Sequence, residues 1–227
     1  MPLLSAIIIT KNEAANIAAC LDALAFCGER IVVDGGSRDD TCRHAAGLAD
    51  AILAAPRGRA LQMNAGARAP QAQPADVLLF LHADTRLPPE ADRLIFRALS
   101  NHPRRWGHFD VRIDGRSHWL PTIARLMNLR ARLTGIATGD QAIFVERGLF
   151  LALDGFAPIP LMEDVEFCAR ARAVTPALAL HASVITAGRR WDAHGAWPTI
   201  LRMWRLRAAY ALGADPARLA RQYRDAR

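Results

Sequence analysis

The sequence predicts an α/β fold, a mostly parallel sheet with helices on both faces joined to a mixed C-terminal half. Two observations carry this. Four short apolar runs alternate with helical patterns over the first hundred residues, the mark of successive βαβ units. After about residue 100 the period changes, and Trp106 to Asp114 alternate apolar and polar residues, as a half-exposed strand does.

Each element follows from its own pattern. Leu3 to Ile9 is a continuous, partly β-branched apolar run, which predicts a buried parallel strand. Asn12 is the expected cap of a helix running to about Phe26, with Ile17, Leu21 and Leu24 at helical spacing. Arg30 to Asp34 reads as the second strand, Asp39 to Leu48 as a helix, and Ala51 to Ala55 as the third strand. Arg59 to Ala69 reads as a helix and Val77 to Leu81 as the fourth strand, after which Pro88-Pro89 open another helix. In the second half the expected elements are a helix from Trp119 to Leu133, a strand from Gln141 to Arg147 and a helix from Glu163 to Ala173. A Trp-, Leu- and Arg-rich helix from Trp197 to Leu212 ends the series. No repeat or low-complexity linker interrupts the chain. Its 227 residues read as one domain over 1–227, with a first half (1–100), a second half (101–195) and a helical tail (196–227).

Composition narrows the class. Apolar residues make up 52%, which excludes a disordered chain. The net charge is +7, carried almost wholly by arginine, with Lys11 the only lysine. Arginine suits forked recognition of phosphate and carboxylate. Cys20, Cys27, Cys42 and Cys168 form no CxxC pair and read as buried free thiols of a reducing, cytoplasmic compartment. The apolar start is too short for a signal peptide, and no run of about 20 apolar residues predicts a membrane span.

The chemistry is expected at the carboxyl ends of the strands, where open α/β sheets bind ligands. Strand one ends in Thr10-Lys11-Asn12-Glu13, strand two in Asp34-Gly35-Gly36-Ser37, and strand four in His82-Ala83-Asp84. Asp34 can accept bonds from a base or a ribose hydroxyl, or it can form a plain Asx turn. Asp84 can cap or turn, or it can hold Mg²⁺ or Mn²⁺ together with substrate phosphates. Glu163 and Asp164 open a helix, where acidic residues are favoured by the dipole, and the pair also suits a general base. Arg189, Arg190 and Trp191 fall between Gly188 and Gly195 in an expected loop, and suit an anionic or sugar-bearing ligand.

The segments SAIIITKNEAANI, VVDGGSRDDT, LLFLHADTRLP, TGDQAIF, LMEDVEF and GRRW occur in the order found in family-2 glycosyltransferases. The chain resembles a small, stand-alone bacterial member over roughly residues 3 to 195. That resemblance implies the GT-A fold, a Rossmann-like three-layer α/β/α sandwich. It also implies inverting, metal-assisted transfer of a sugar, as by a hexosyltransferase, from a nucleoside-diphosphate donor to an acceptor hydroxyl. By the same resemblance Thr10, Glu13, Asp34, Arg59 and His82 contact the nucleotide, and Asp84 holds Mg²⁺ or Mn²⁺. Asp164 is the catalytic base beside Glu163, and Asp140, Arg189, Arg190 and Trp191 serve the acceptor and the diphosphate. Two departures stand out: Ala187 replaces the Gln of a Gln-x-x-Arg-Trp motif, and His82 replaces the first Asp of an Asp-x-Asp motif.

Two other readings compete. A dinucleotide enzyme is disfavoured because the first strand-turn, IIITKNEAAN, carries no G-x-G-x-x-G. A binding protein without transfer activity would use nucleotide-sugar affinity or the basic surface, on membrane or nucleic acid. The three carboxylates Asp34, Asp84 and Asp164 favour catalysis, and no nucleic-acid partner is expected. The C-terminal helix reads as a packing or homodimer helix, or as a peripheral contact with the inner face of a membrane that presents a lipid-linked acceptor.

Overall fold

The computed structural model describes residues 2–72 and 74–224. The first half runs β1 (Leu4–Thr10), α1 (Ile17–Asp22), β2 (Glu29–Asp34), α2 (Thr41–Ala45), β3 (Ala51–Ala54), α3 (Arg59–Arg68) and β4 (Val77–His82). Next come β5 (Thr85–Arg86), α4 (Ala91–Asn101), β6 (Trp106–Asp114), α5 (Leu120–Thr134), β7 (Ile143–Glu146) and α6 (Arg147–Ala152). The chain continues through α7 (Glu163–Val174), β8 (Leu178–Ala187), α8 (Arg189–His194), α9 (Ala196–Ala211) and α10 (Pro216–Arg224).

The strands form one sheet in the order β3-β2-β1-β4-β7-β6-β8-β5. β3, β2, β1 and β4 are parallel, β7 runs antiparallel between β4 and β6, and β8 lies parallel to β6. Alternating side chains of β1 serve two cores. Leu4, Ala6 and Ile8 meet α1, α4 and α5 on one face, while Ile7 and Ile9 meet α3, α6 and α7 on the other. Each fully buried Ile or Leu contributes about 1.5–3 kcal/mol, so burial on both faces strongly favours this mostly apolar strand at the centre of the sheet. These layers are those of the GT-A sandwich.

Several elements differ from expectation. Asn12 does not cap the first helix. It stands at φ 55 and its Oδ1 accepts a bond from Arg38 N, so a turn precedes α1 and the helix ends at Asp22. α2 is a single short turn, and α4 begins at Ala91, beyond Pro88-Pro89. β6 is buried along most of its length because it lies between β7 and β8. Its Trp106 ring also donates from Nε1 to Thr175 O. Arg189 to His194 is a short helix, not a loop. Cys42 is only half-buried, whereas Cys20, Cys27 and Cys168 are buried free thiols as expected. β5, α6, β8 and α10 have no counterpart in the sequence reading.

Candidate active site

Parallel pairing of β1, β2 and β4 brings Thr10, Asp34 and His82 to one edge of the sheet. The loops beyond are bound to each other before any ligand arrives. Asp34 Oδ2 accepts from Gly36 N and Ser37 N, and Oδ1 from the Ser37 hydroxyl, so the Asx turn is present. Gly36 supplies the positive φ of that turn, +85°. Asn12 N donates to Ser37 Oγ and Glu13 N to Thr41 Oγ1. Gln62, which the sequence reading missed, donates to both Thr10 O and Val33 O from α3. Its signal was a polar residue on the buried side of an Ala-rich helix. The Thr10 hydroxyl is buried and unpartnered among the described residues.

Past His82 the chain turns at Ala83-Asp84 and pairs again as β5, antiparallel to β8. That pairing carries the end of β8 over the turn, and α8 starts there. Arg189 Nη2 donates to Glu13 Oε1 (2.7 Å) and Oε2 (2.9 Å) and to Asp84 Oδ2 (2.9 Å). The α8 helix is anchored by Asp192, whose carboxylate accepts from Arg116 N and Ser117 N. Trp191 packs against the core on the α1–α4–α5 side and does not join Arg189. Arg190 lies in α8, and its side chain falls outside the described residues.

A second group gathers at the start of α7. Asp164 Oδ2 accepts from Gly139 N at 2.9 Å, and Oδ1 from Val165 N at 2.8 Å. Gly139 lets His82 come close, since a Cβ there would lie 2.9 Å from His82 Nε2 and would push the imidazole aside. The other imidazole nitrogen, His82 Nδ1, is 3.5 Å from Asp140 Oδ1. Glu163 is almost wholly buried and pairs with Arg59, Nε to Oε1 at 2.6 Å and Nη2 to Oε2 at 3.1 Å. His82, Gly139, Glu163 and Asp164 line one hollow, floored by Met63 and Phe80.

Burial and charge act against each other here. Burial raises the Glu163 carboxyl above the ordinary range, and the Arg59 charge pulls it back. Burial lowers Arg59, but Glu163 and Asp164 more than offset that, so its guanidinium is held firmly charged. Burial likewise lowers His82, and the Asp140 contact and the Asp84 charge outweigh it, leaving the imidazole more basic than usual.

Among the described residues no three His, Cys, Asp or Glu side chains come together as a self-sufficient metal cage. The donor set at Asp84 fits a different kind of site. Two carboxylates, Glu13 and Asp84, converge on one positive centre, the Arg189 guanidinium, which stands in for a cation. Oxygen ligands of this kind suit a hard divalent ion that completes its shell with substrate phosphates.

The family model described as glycosyl transferase family 2 matches residues 5–152. No curated protein matches the chain. Among solved structures, the UDP complex of Staphylococcus aureus TarS is similar at 19% identity and a TM-score of 0.64, over 82% of this chain and 60% of that one. A mannosyltransferase from Pyrobaculum calidifontis, in complex with GDP-Man and Mn²⁺, has 23% identity and a TM-score of 0.59, over 92% and 61%. Glucosyl-3-phosphoglycerate synthase from Mycobacterium tuberculosis, with Mg²⁺ and UDP, has 19% identity and a TM-score of 0.61, over 82% and 70%. At these identities the likeness is one of fold. The chain spans less than two thirds of the TarS and mannosyltransferase structures.

Proposed function

Since the chain belongs to glycosyl transferase family 2, we propose that it moves a sugar from a nucleoside-diphosphate donor to an acceptor hydroxyl, with inversion and with help from Mg²⁺ or Mn²⁺. The observation that carries this is Asp164, a buried carboxylate held by two backbone N–H groups in the same hollow as His82, just past the strand ends. By the same reading the nucleotide-binding half (1–100) handles the nucleotide, the acceptor and catalytic half (101–195) the acceptor, and the helical tail closes the fold over 196–224, residues 225–227 of the expected tail lying outside the described residues.

Thr10, Asp34 and His82 line the nucleoside end. The unpartnered Thr10 hydroxyl is a ready donor there, while Asp34 acts through the shape of its turn. Asp84, with Glu13, would hold the ion, which when bound supplies neutralising charge to the leaving diphosphate. With an ion held by these two carboxylates, the Arg189 guanidinium would be free to meet diphosphate oxygens. Asp164 takes the acceptor proton as that oxygen attacks the anomeric carbon from the face opposite the diphosphate. Arg59 fixes Glu163, and with it the first turn of α7, so that Asp164 stays aimed at the hollow. Asp140 holds His82 in place.

The test is a panel of nucleotide sugars with Mn²⁺, following release of nucleoside diphosphate. Release from one donor, lost in Asp164→Asn, supports the reading. Donor binding with no release by the wild type would favour the rival reading, a nucleotide-sugar-binding protein.

The acceptor side has one further feature. Leu206 of α9 is buried, but Trp197, Leu201 and Trp204 are more than half exposed beside Arg202 and Arg205. Among the described residues no helix is long and apolar enough to cross a membrane. We read this face as a peripheral contact that brings a lipid-linked acceptor to the site. Combined Trp197→Ser and Trp204→Ser should reduce co-sedimentation with anionic liposomes. Unchanged co-sedimentation, with a dimer that dissociates in the variant, would assign the face to self-association.

A further inference from the structure

We propose that Arg130 and Arg207 form an oxyanion-binding subsite beside Asp164, and that it takes a phosphate or carboxylate carried by the acceptor. The inference rests on the reading of Asp164 as the base, and it adds the chemical class of the acceptor.

Three elements build the subsite. Leu206 on α9 packs with Leu161 and Met162, the two residues that lead into α7. That contact brings the next residue, Arg207, to the end of α7 that bears Asp164. From the other side, Arg130 on α5 donates from Nη1 to Ile136 O at 2.9 Å. The same short loop supplies Gly139 N to Asp164 and Ala137 O to the Cys168 thiol. The two arginines thus flank the carboxylate from different helices.

Neither is neutralised. Arg207 Nη2 is buried and, among the described residues, has no hydrogen-bond partner. Among the described residues neither guanidinium has an ion-pair partner, and Glu163, the nearest other acid on α7, is already held by Arg59. One carboxylate therefore faces two cations, and a net positive charge is left at a half-buried place. Burying a guanidinium without a counter-ion is costly. The strain is visible in the groups themselves: burial, then the neighbouring Arg207 charge, brings Arg130 down to about 10, and burial lowers Arg207 too. Cys168 does not relieve it, because burial pushes that thiol up to about 12 and keeps it neutral. A ligand oxyanion would relieve it, with forked donors on two sides. Bound there, it would set the acceptor hydroxyl next to Asp164.

The experiment is calorimetric titration of inorganic phosphate into the full chain, with no donor present. The wild type should bind phosphate. Arg207→Gln and Arg130→Gln should each weaken it at least about tenfold, as expected for the loss of a charge-assisted bond. Arg207→Lys should keep part of the affinity, and Arg93→Gln, in an exposed pair with Glu90, should leave it unchanged. If Arg207→Gln fails to fold, as thermal melting would reveal, Arg130→Gln and Arg207→Lys decide. No phosphate binding by the wild type, or a loss seen in Arg189→Gln and absent from Arg207→Gln, would overturn the subsite. Vesicles containing phosphatidic acid separate the sources: displacement of phosphate assigns a lipid-borne acceptor, and no displacement a soluble one. Donor hydrolysis measured without acceptor tests the transferase reading separately, so the two can fail independently.

Discussion

Arg189 donates through a single nitrogen to both Glu13 oxygens and to Asp84, joining residues 176 and 105 positions away in the chain. The Arg189 side chain is more than half exposed. Exposed ion pairs contribute about 1 kcal/mol or less, so Arg189→Gln should barely change stability. It should instead strengthen Mn²⁺ binding in the absence of donor and weaken binding of nucleoside diphosphate. Calorimetry with each ligand checks both, and equal Mn²⁺ affinity in variant and wild type would remove Arg189 as the stand-in cation.

Asp164→Asn keeps the shape of the side chain but has one acceptor oxygen in place of two, so it retains only one of the bonds that Gly139 N gives to Oδ2 and Val165 N to Oδ1. It should lose about 1 kcal/mol of stability for the missing bond and at least about a hundredfold in turnover, the usual contribution of a positioned base. Turnover near that of the wild type would assign the base elsewhere.

Removing Arg59 strands a buried carboxylate. Arg59→Ala should cost about 3 kcal/mol, the low end for breaking a buried pair, since Arg59 itself is a third exposed. The pH dependence has a defined sign. Burial already raises Glu163 in the folded state, and loss of the Arg59 charge raises it further. A raised carboxyl favours folding at low pH and loses that advantage as pH rises through the folded value. The deficit of Arg59→Ala should therefore shrink on acidification, and the double variant Arg59→Met, Glu163→Gln should recover much of it. Urea unfolding at several pH values checks this.

His108 lies in the interior of β6, with Nδ1 3.0 Å from Phe109 O and Nε2 buried and, among the described residues, unpartnered. Burial lowers its pKa. The unfolded chain then binds the proton first, so stability should fall as pH drops through about 6.5. His108→Gln should flatten that dependence over the same range, as thermal melts would record.

How much of this could be read beforehand differs by element. β1, β2, β4, α3 and α7 were legible because each is a local pattern, an apolar run or a 3.6-residue repeat. The convergence of Thr10, Asp34 and His82 followed from parallel pairing alone. β8 was readable in part, since Leu178, Leu180, Ala182 and Val184 alternate with other residues, but β5 has only two residues and exists through its partner. The links from Arg189 to Asp84 and from Arg59 to Glu163 span long stretches of chain. No local pattern announces such pairs, and Arg130 with Arg207 is another. The expected loop at Arg189 became a helix because Asp192 reaches across to Arg116 and Ser117.

The β5–β8 pairing also sets a clock. Thr186 is held in the sheet opposite Thr85, a few residues before Arg189, so the start of α8 cannot swing away without breaking strand pairing. Release of Glu13 and Asp84 then needs only rotation of the exposed Arg189 side chain. Such rotamer changes take picoseconds to nanoseconds, whereas closing segments move in microseconds to milliseconds. The Glu13–Arg189–Asp84 contact can therefore open and close on the faster of these scales while the backbone at that edge of the sheet stays in place.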